Sequence, residues 1–519
     1  MSLDAVKPAL DAAQPGSAAG GRTGLRKTLG LLDVIAQSIS VIAPAMSGAF
    51  LTYLASTKAG GATPLAYLLG TLAMLCVGMV VAQFATRVSS AGSLYTYITQ
   101  GLSRGAGFVA GWCYAAAFLI LGGAVMAGFG FFTSSLVASV LGLAEPVSWF
   151  WFFAFGLVVC ALLSMFDVNL STRSQLLFAV LTIGGMLVVS FVVISIGSPE
   201  TSVLDGVTKI DNPGTSWDAG AFSPSAAGVS WTGIFFGLSF AMLSYTGAEA
   251  CAVLAEETRD PRRNIPRAVI GSILLGGAIY LVITYATSIG FGVQQATQDW
   301  PASVAGLAAV APSTALGNVV LAAAAAASFF CALGVHTAVS RVLFAMGRER
   351  VLPGWFGQLH PRFRTPWHSI LFTLVVWFGM VMGSVWSTSR QTQVGVSGVD
   401  DPTTGGVYAF SWLATLGTPL VMFVYLLVGV AGIVYGVRTR QKGFVIFGVP
   451  ATAAGGIAVF GGLYYSFVEA EPGVPIPFVM QIVPWACLAL VIAAVAVGAW
   501  LKRARPRTWQ NMGAIFDEE

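Results

Sequence analysis

The stretch SYTGAEACAVLAEETRDPRRNIPRA, residues 244–268, joins an apolar half to a densely charged half. Glu249 interrupts the apolar half, whereas the other half contains acidic and basic residues together with Pro261 and Pro266. A charged side chain at the centre of a bilayer costs about 2.5–3.5 kcal/mol on insertion scales, so charged side chains found there usually face a cavity and have a function. The stretch therefore raises two questions: whether Glu249 lies in a membrane, and what it faces there.

The composition of the chain indicates a membrane protein. Of its 519 residues 56% are hydrophobic and 9% are charged, and the mean hydropathy is +0.80. Soluble domains contain about 25% charged residues. Apolar runs of about 20 residues are long enough to span a bilayer as helices, whereas a β-barrel would show shorter alternating segments. The sequence predicts an all-α polytopic membrane protein.

The apolar runs predict twelve transmembrane helices, numbered here as spans 1 to 12. They fall at about 31–55, 63–86, 106–133, 149–166, 176–197, 229–255, 267–292, 315–345, 369–388, 407–436, 444–467 and 477–501. Residues 30–501 thus form one transporter-sized membrane domain. The flanking segments 1–29 and 502–519 are polar and are predicted to be cytosolic tails, the first of them disordered.

The basic residues predict the orientation. With both termini in the cytoplasm, all of the 26 Lys and Arg residues except Lys58, Lys209 and Arg390 lie on the cytoplasmic side. This distribution follows the positive-inside rule. The net charge of +4 therefore reflects topology and does not indicate nucleic-acid binding. We expect a multi-pass protein of the cytoplasmic membrane.

The sequence offers no catalytic or metal-binding constellation. Its six cysteines fall within predicted spans and show no CxxC spacing, which is typical of buried apolar residues. No P-loop, nucleophile–base pair or metal-ligand cluster is present in the sequence. We expect neither an enzyme nor a bound cofactor or metal.

Two predicted spans carry helix-breaking residues at matching depth. Span 1 contains SISVIAPAMSG (38–48), where Pro44 lacks an amide donor and Gly48 relaxes the backbone. Span 6 contains SYTGAE (244–249). Interrupted helices at corresponding positions of two repeats mark the substrate site of many transporters. Freed N–H groups suit a carboxylate and freed carbonyls suit an ammonium. The alternative is that both breaks only kink packed helices.

Glu249 and His336 are the titratable groups predicted to lie well inside spans. Glu249 either satisfies backbone groups freed at the break or takes part in proton coupling or gating. His336 is either a packing histidine bonded to a neighbouring helix or a titratable partner near the site. The sequence leaves both alternatives open.

Three segments resemble the amino acid–polyamine–organocation (APC) family of transporters. GAEACAVLAEETRDPRRNIPRA (247–268) is similar to the family's span-6-to-7 signature, and SRVLFAMGRERVLPGWFGQLHPRFRTP (340–366) to its span-8-to-9 segment. SAGSLYTYITQGLSRGAGFVAGW (90–112) resembles its span-2-to-3 stretch. Together with the twelve predicted spans, the resemblance covers about residues 30–500.

The resemblance implies a LeuT-type fold with discontinuous helices 1 and 6. Two inverted five-helix repeats would cover about 31–197 and 229–436, with two extra peripheral helices at 444–501. Substrate would bind at the two breaks. The implied substrate-binding residues are Ile42, Ala43, Ala45, Met46, Ser47, Gly48, Leu243, Ser244, Tyr245, Thr246 and Gly247. The implied coupling or gating residues are Glu249 and His336, with Thr337 and Ser340 marking a real or vestigial sodium site.

Three departures from the family pattern bear on substrate and coupling. The family's Gly-x-Gly-Ile motif of span 1 is replaced by APAMS (43–47). Leu243 stands where some members carry a gating aromatic residue, and Ala248 replaces the usual aromatic after the span-6 glycine. Span 5 lacks the lysine that some proton-coupled members use. The first change reshapes the expected carboxylate cradle, and the second favours a wider pocket for larger or more apolar substrates. The absent lysine weakens a direct carry-over of the family's proton mechanism to this chain.

The sequence therefore predicts a secondary transporter that imports an amino acid, neutral or hydrophobic, by proton symport. One proton crossing 100 mV brings about 2.3 kcal/mol, which is enough to drive accumulation. The alternatives are an exchanger of amino acids or amines, a sodium-coupled symporter, and a transporter-like sensor. The expected partners are the substrate, H+ and the lipid bilayer, and the oligomeric state stays open.

Overall fold

The computed structural model describes residues 30–87, 93–143, 145–166, 168–199, 217–254, 258–348, 352–361, 363, 365–391, 404–468, 478–506 and 509. Within these ranges the chain is helical and contains no β-strand. The predicted tail 1–29 lies outside the described residues, as does most of the predicted tail 502–519.

The helices of eight residues or more are numbered along the chain. They are α1 Leu31–Ile42, α2 Thr52–Ala59, α3 Thr63–Ala85, α4 Ser93–Gly101, α5 Arg104–Leu141, α6 Trp149–Phe166, α7 Val168–Ile196, α8 Trp231–Leu243, α9 Pro261–Phe291, α10 Thr314–Arg348, α11 Trp367–Gln391, α12 Thr404–Arg438, α13 Lys442–Tyr464 and α14 Phe478–Ala504.

Ten helical stretches among the described residues are long and apolar enough to cross a membrane. The first of them, Leu31–Ala85, runs for 55 residues and includes α1, α2 and α3. A further apolar helix, Trp149–Met165, is shorter. The prediction of a multi-pass α-helical membrane protein is confirmed at this level. The number of twelve spans stays a prediction.

A few helices form the buried centre and the others surround them. Helix α5 packs on α10 and α12, and α9 packs on α3. Helices α6, α7, α11 and α14 point large apolar side chains outward, among them Trp151, Val180, Val375 and Trp485. Such a surface is suited to lipid and not to water. A polar path across the membrane would therefore run through the centre of the bundle.

Glycines let some of these helices approach one another closely. Gly461 of α13 is buried against the backbone of α8, where an added Cβ would lie 2.2 Å from the carbonyl oxygen of Phe235. By contrast, a Cβ added at Gly379, on the exposed face of α11, would meet nothing within 4 Å. Close approach through small residues is the usual basis of helix packing in membranes.

We predict opposite effects for alanine at these two mid-helix glycines. Gly461→Ala has to push α13 away from a rigid carbonyl, and we expect it to lower the free energy of unfolding by about 1–3 kcal/mol. Gly379→Ala is the matched control and should be neutral or stabilising by up to about 1 kcal/mol. Thermal unfolding of the purified protein in detergent measures both. Equal melting temperatures for the two variants would contradict the packing described here.

Candidate functional site

The first membrane helix is interrupted at Ala43. Helix α1 ends at Ile42, Ala43 has a left-handed backbone with φ of 47°, and a single α-helical turn, Pro44–Met46, follows. A π-helical turn, Ser47–Leu51, then leads into α2. Alanine seldom adopts positive φ, and proline at the start of a turn cannot donate a hydrogen bond to the preceding turn. The Ser47 hydroxyl donates to the carbonyl oxygen of Ile42 (3.1 Å). This bond provides a partner for a carbonyl group at the interruption.

A second interruption follows helix α8. The helix ends at Leu243, and the chain passes through turns to a 3-10 helix, Ala248–Leu254. Gly247 lies between them with φ of 105°, and a Cβ at this position would lie 2.4 Å from Cγ1 of Val41. Glycine is required here both by its backbone angle and by the close approach of α1. The Ser38 hydroxyl donates to the carbonyl oxygen of Ala248 (2.9 Å), so the two interruptions are hydrogen-bonded to each other.

A cavity of about 60 Å³ lies beside both interruptions. At roughly 15 Å³ per water it has room for about four water molecules. It is lined by Val41, Ile42, Met46, Ser47, Leu51, Phe118, Leu121, Ala124, Val125, Leu243, Thr246, Cys331, Val335, Phe410 and Ala414. The predicted residues Ile42, Met46, Ser47, Leu243 and Thr246 are thus brought together around one space.

The other predicted binding residues lie around this cavity without lining it. Ala43 lines a smaller cavity of about 10 Å³ between α1, α7 and α10. Gly48 faces Ile283, and the side chains of Ser244 and Tyr245 bond to Tyr67 and Thr71 of α3. Ala45 and Gly247 are likewise absent from the cavity wall.

Sequence reasoning missed the walls contributed by α5, α10 and α12. Phe118, Leu121 and Val125 line the cavity from one face of α5, and Phe410 and Ala414 line it from α12. Their spacings of three and four residues indicate one helix face, but apolar faces of this kind occur throughout the chain. No polar residue distinguishes these particular ones.

The cavity wall is apolar. It contains no charged side chain, and Ser47 and Thr246 are its hydroxyl-bearing residues. A charged group with no counter-charge in such a surrounding is strongly disfavoured. The side-chain part of the cavity therefore suits an uncharged, apolar group.

Buried aromatic rings pack behind Phe410, which lines the cavity. Phe410 stacks on Phe50 with ring centroids 3.9 Å apart, and Phe131 and Phe132 pack on the same ring at 5.5 and 4.7 Å. We call these four residues the aromatic plug. Their position, beyond Val125 along α5 and before Ala414 in α12, places the plug toward the predicted external side.

Glu249 lies outside the cavity wall and is held by hydroxyl groups. Its side chain is 4% exposed, and the Tyr114 hydroxyl donates to Oε1. The Tyr425 hydroxyl lies 3.4 and 3.5 Å from the two carboxylate oxygens, and the backbone amides of Gly247 and Glu249 also interact with them. We call Glu249, Tyr114 and Tyr425 the carboxylate latch, because they tie the second interruption to α5 and α12. Hydrogen bonds to an ionised acceptor are about twice as strong as neutral ones.

The latch lies on the predicted cytosolic side of the cavity. In α5, Tyr114 comes one turn before Phe118. In α12, Tyr425 follows Ala414 by eleven residues, a rise of about 16 Å toward the predicted cytoplasm. Phe410 of the aromatic plug thus lines the cavity, whereas the carboxylate latch lies outside the cavity wall on the predicted cytosolic side.

His336 lies apart from the cavity wall. It is fully buried in α10, its Nδ1 lies 3.0 Å from the Ser164 hydroxyl, and its Nε2 donates to the carbonyl oxygen of Ile370 at 3.2 Å. Its ring also contacts Trp377 edge-on, with centroids 5.5 Å apart. These contacts join α10 to α6 and α11.

The remaining predicted coupling residues do not line the cavity either. The Thr337 hydroxyl donates within its own helix to the carbonyl oxygen of Leu333 (2.8 Å). Ser340 is buried, and its hydroxyl forms no hydrogen bond to any part of the chain that the structure describes. Across the described residues, no group of three or more His, Cys, Asp and Glu side chains could hold a metal ion.

Comparison with known proteins gives this arrangement a context. A family profile described as amino acid permease matches residues 29–515. A low-affinity putrescine importer of Escherichia coli (strain K12) is 27% identical over 70% of this chain and 77% of its own length. A serine/threonine exchanger of Bacillus subtilis (strain 168) is 24% identical over 68% and 76%. A branched-chain amino acid permease of Lactococcus lactis subsp. cremoris is 25% identical over 80% of each chain.

We predict that Tyr114 stabilises the fold through Glu249. Tyr114→Phe should lower the free energy of unfolding by about 1.5–3 kcal/mol, because it removes a donor from a buried carboxylate. Tyr425→Phe should cost less, since its hydroxyl lies 3.4 Å or more from both oxygens. In a Glu249→Gln background, where the acceptor is neutral, Tyr114→Phe should cost about half as much. Chemical denaturation of all four variants gives the coupling energy. An unchanged cost in the Gln background would show that Tyr114 acts independently of Glu249.

Proposed function

The chain belongs to the amino acid permease family, and we propose that it is a secondary transporter that imports a neutral, apolar amino acid across the cytoplasmic membrane. The observation that carries this proposal is the apolar cavity that lies beside the two helix interruptions. Members of this family are membrane transporters and not enzymes.

The apolar wall supports a neutral substrate over a polyamine. A dication such as putrescine has two ammonium groups, and neither would find a charged side chain in the wall. Glu249, a buried carboxylate outside the wall, already accepts a hydrogen bond from the Tyr114 hydroxyl. Of the substrates that the relatives' names give, a branched-chain amino acid suits this apolar wall better than putrescine does.

The two interruptions supply the polar contacts in this proposal. The turn Ala43–Gly48 offers backbone N–H groups to the substrate carboxylate, and Ser244–Gly247 offers carbonyl oxygens to its ammonium group. Tyr280 supports this second segment by donating to the carbonyl oxygen of Ser244 (2.8 Å). The apolar side chain of the substrate would then lie against α5, α10 and α12.

In this proposal the aromatic plug and the carboxylate latch act as the two gates that alternating access requires. We propose twelve spans with both termini cytoplasmic and the interrupted helices 1 and 6 at matching places of two inverted five-helix repeats. Opening of the aromatic plug would admit substrate from outside, and opening of the carboxylate latch would release it to the cytoplasm. The hydrogen bond from Ser38 to Ala248 couples the inner halves of the two interrupted helices.

Proton coupling in this scheme depends on Glu249. Protonation would remove its charge and weaken the bond that it accepts from Tyr114. His336 is assigned a packing role, because its ring nitrogens bond to Ser164 and to Ile370 and it does not line the cavity. Exchange is the second candidate, because one relative is a serine/threonine exchanger.

We predict a preference for neutral apolar amino acids in a binding panel. Purified protein should be stabilised against heat by L-leucine, L-isoleucine or L-valine, and not by putrescine or L-arginine. A ligand present at 100 times its Kd stabilises the folded state by about 2.7 kcal/mol, which is readily measured. Stabilisation by putrescine alone would overturn the substrate assignment.

We predict that a proton gradient drives accumulation through Glu249. In sodium-free proteoliposomes, an inward pH gradient should concentrate L-leucine, and Glu249→Gln should abolish this accumulation. The variant should still exchange L-leucine across vesicles preloaded with it, because exchange needs no net proton movement. Three results would count against the scheme: uptake that requires sodium and ignores pH, uptake in wild type only after preloading, and full proton-driven accumulation by Glu249→Gln.

A further inference from the structure

We propose that four basic side chains at one predicted cytosolic corner of the bundle bind the phosphate group of an anionic phospholipid. They are Arg87 just after α3, Arg438 at the end of α12, Arg440 in the turn that follows, and Lys442 at the start of α13. We call these four residues the basic corner. The inference goes beyond the function proposed above and does not depend on the transported substrate.

Contacts between α3 and α13 bring the four basic residues to one place. The Gln83 side chain donates through Nε2 to the carbonyl oxygen of Gly443 (3.3 Å). One turn later in α3, the guanidinium group of Arg87 lies over the ring of Phe444, 4.9 Å from the ring centroid. The other three residues of the basic corner lie within residues 438–442, which join α12 to α13.

The turn between α12 and α13 carries an arginine where glycine is usual. The amides of Arg440 and Gln441 donate to the carbonyl oxygens of Val437 (3.3 Å) and Gly436 (2.8 Å), which is the pattern of a Schellman motif. Arg440 occupies the left-handed position of this motif with φ of 56°. Glycine adopts such a backbone without strain, whereas other residues do so at a cost. The turn itself therefore does not explain the arginine side chain.

The basic corner has no acidic partner in the part of the chain that the structure describes. Three of its side chains are exposed and form neither an ion pair nor a hydrogen bond there, whereas Arg87 donates to the carbonyl oxygen of Gln83 (2.7 Å). Residues 34–144 and 402–468, which include α3, α12 and α13, contain no Asp or Glu. Like charges held close together repel one another, so the corner suits an anion.

An exposed apolar surface continues from the basic corner along α13. Lys442, Ile446 and Val449 share one face of this helix by their spacing of four and three residues. Ile446 and Val449 are 62% and 53% exposed. The same face continues with the exposed residues Ala453, Ile457 and Phe460. This surface suits acyl chains, and Lys442 at its end then lies at the level of the phosphate groups.

A phospholipid carries both groups that this surface suits. Guanidinium groups bind phosphate through paired hydrogen bonds, and an ammonium group binds it as a point charge. Clusters of about four to eight Lys and Arg residues directly cytoplasmic of a membrane helix are typical of anionic-lipid binding. A free phosphate ion would leave the apolar face of α13 uncovered. The ligand is therefore a lipid with a net negative charge, for which phosphatidylglycerol is the probe.

The test titrates phosphatidylglycerol onto the purified full-length protein in a neutral detergent and measures bound lipid by native mass spectrometry. Arg438→Gln, Arg440→Gln and Lys442→Gln combined should raise the Kd for phosphatidylglycerol about tenfold or more, since each basic residue near the headgroup adds to the attraction. Phosphatidylcholine with the same acyl chains has no net charge. It should bind wild type more weakly, and the three substitutions should not change its affinity.

A matched control removes three exposed arginines elsewhere on the predicted cytosolic side. Arg259→Gln, Arg262→Gln and Arg263→Gln combined, around Asp260 at the start of α9, should leave the Kd for phosphatidylglycerol unchanged. An equal loss of affinity in both triple variants would show that net charge alone attracts the lipid. Undiminished affinity after the three substitutions at the corner would show that its basic residues serve orientation only. Either result would overturn the proposal.

Arg440→Gly separates lipid binding from folding. Glycine suits the left-handed position, so thermal unfolding without lipid should occur at the same or a higher temperature than in wild type. The Kd for phosphatidylglycerol should nevertheless rise about threefold to fivefold, because one charged contact is lost. Arg440→Lys keeps the charge and should retain most of the affinity. A more stable Arg440→Gly variant with undiminished lipid affinity would contradict the role of this residue. This comparison carries the test if the triple variant does not fold.

Inorganic phosphate distinguishes a lipid site from a site for a free anion. At millimolar concentration it should not displace phosphatidylglycerol, because it lacks the acyl chains that cover α13. Displacement of the lipid by an equal concentration of phosphate would overturn the assignment to a phospholipid. These outcomes are the same whether or not the protein binds L-leucine, so they test this inference separately from the proposed function.

Discussion

A carboxylate removed from water must be surrounded by donors, and the arrangement around Glu249 follows from this requirement. The donors are the Tyr114 and Tyr425 hydroxyls. The interruption after α8 places the carboxylate where both hydroxyls reach it. Because the tyrosines belong to α5 and α12, the same carboxylate also sets how closely these two helices lie to the break.

Close contact between the two interrupted helices depends on a single small residue. Gly247 adopts a backbone angle that favours glycine, and it leaves room for Val41. With this contact in place, the Ser38 hydroxyl reaches the carbonyl oxygen of Ala248. The cavity lies where the two interrupted segments diverge again, between Ser47 and Thr246. The site is thus a consequence of how two broken helices meet, and the apolar helices around it complete the wall.

The sequence predicted the polar part of this site much better than its apolar part. Glu249, the Pro44 turn and the Gly247 turn stand out because charge, proline and glycine are costly inside a membrane helix. Phe118, Leu121 and Phe410 could not be identified, since an apolar residue facing a cavity looks like one facing lipid. For His336 the sequence left a packing role and a titratable role open. Its two ring nitrogens contact Ser164 and Ile370, which fits the packing role, and a titratable role stays a prediction. The tail at 1–29 and the number of spans are also predictions from sequence.

The aromatic plug and the carboxylate latch differ in the physical nature of their contacts. Separation of Phe410 from Phe50 uncovers aromatic faces, and each Å² of apolar surface that water then wets costs about 25 cal/mol. Separation of Tyr114 from Glu249 exposes groups that water can bond in their place. The first cost varies with temperature as hydrophobic hydration does, and the second varies with whatever changes the charge of the carboxylate. The aromatic plug is thus held together by the exclusion of water, and the carboxylate latch by a bond for which water is a competent substitute.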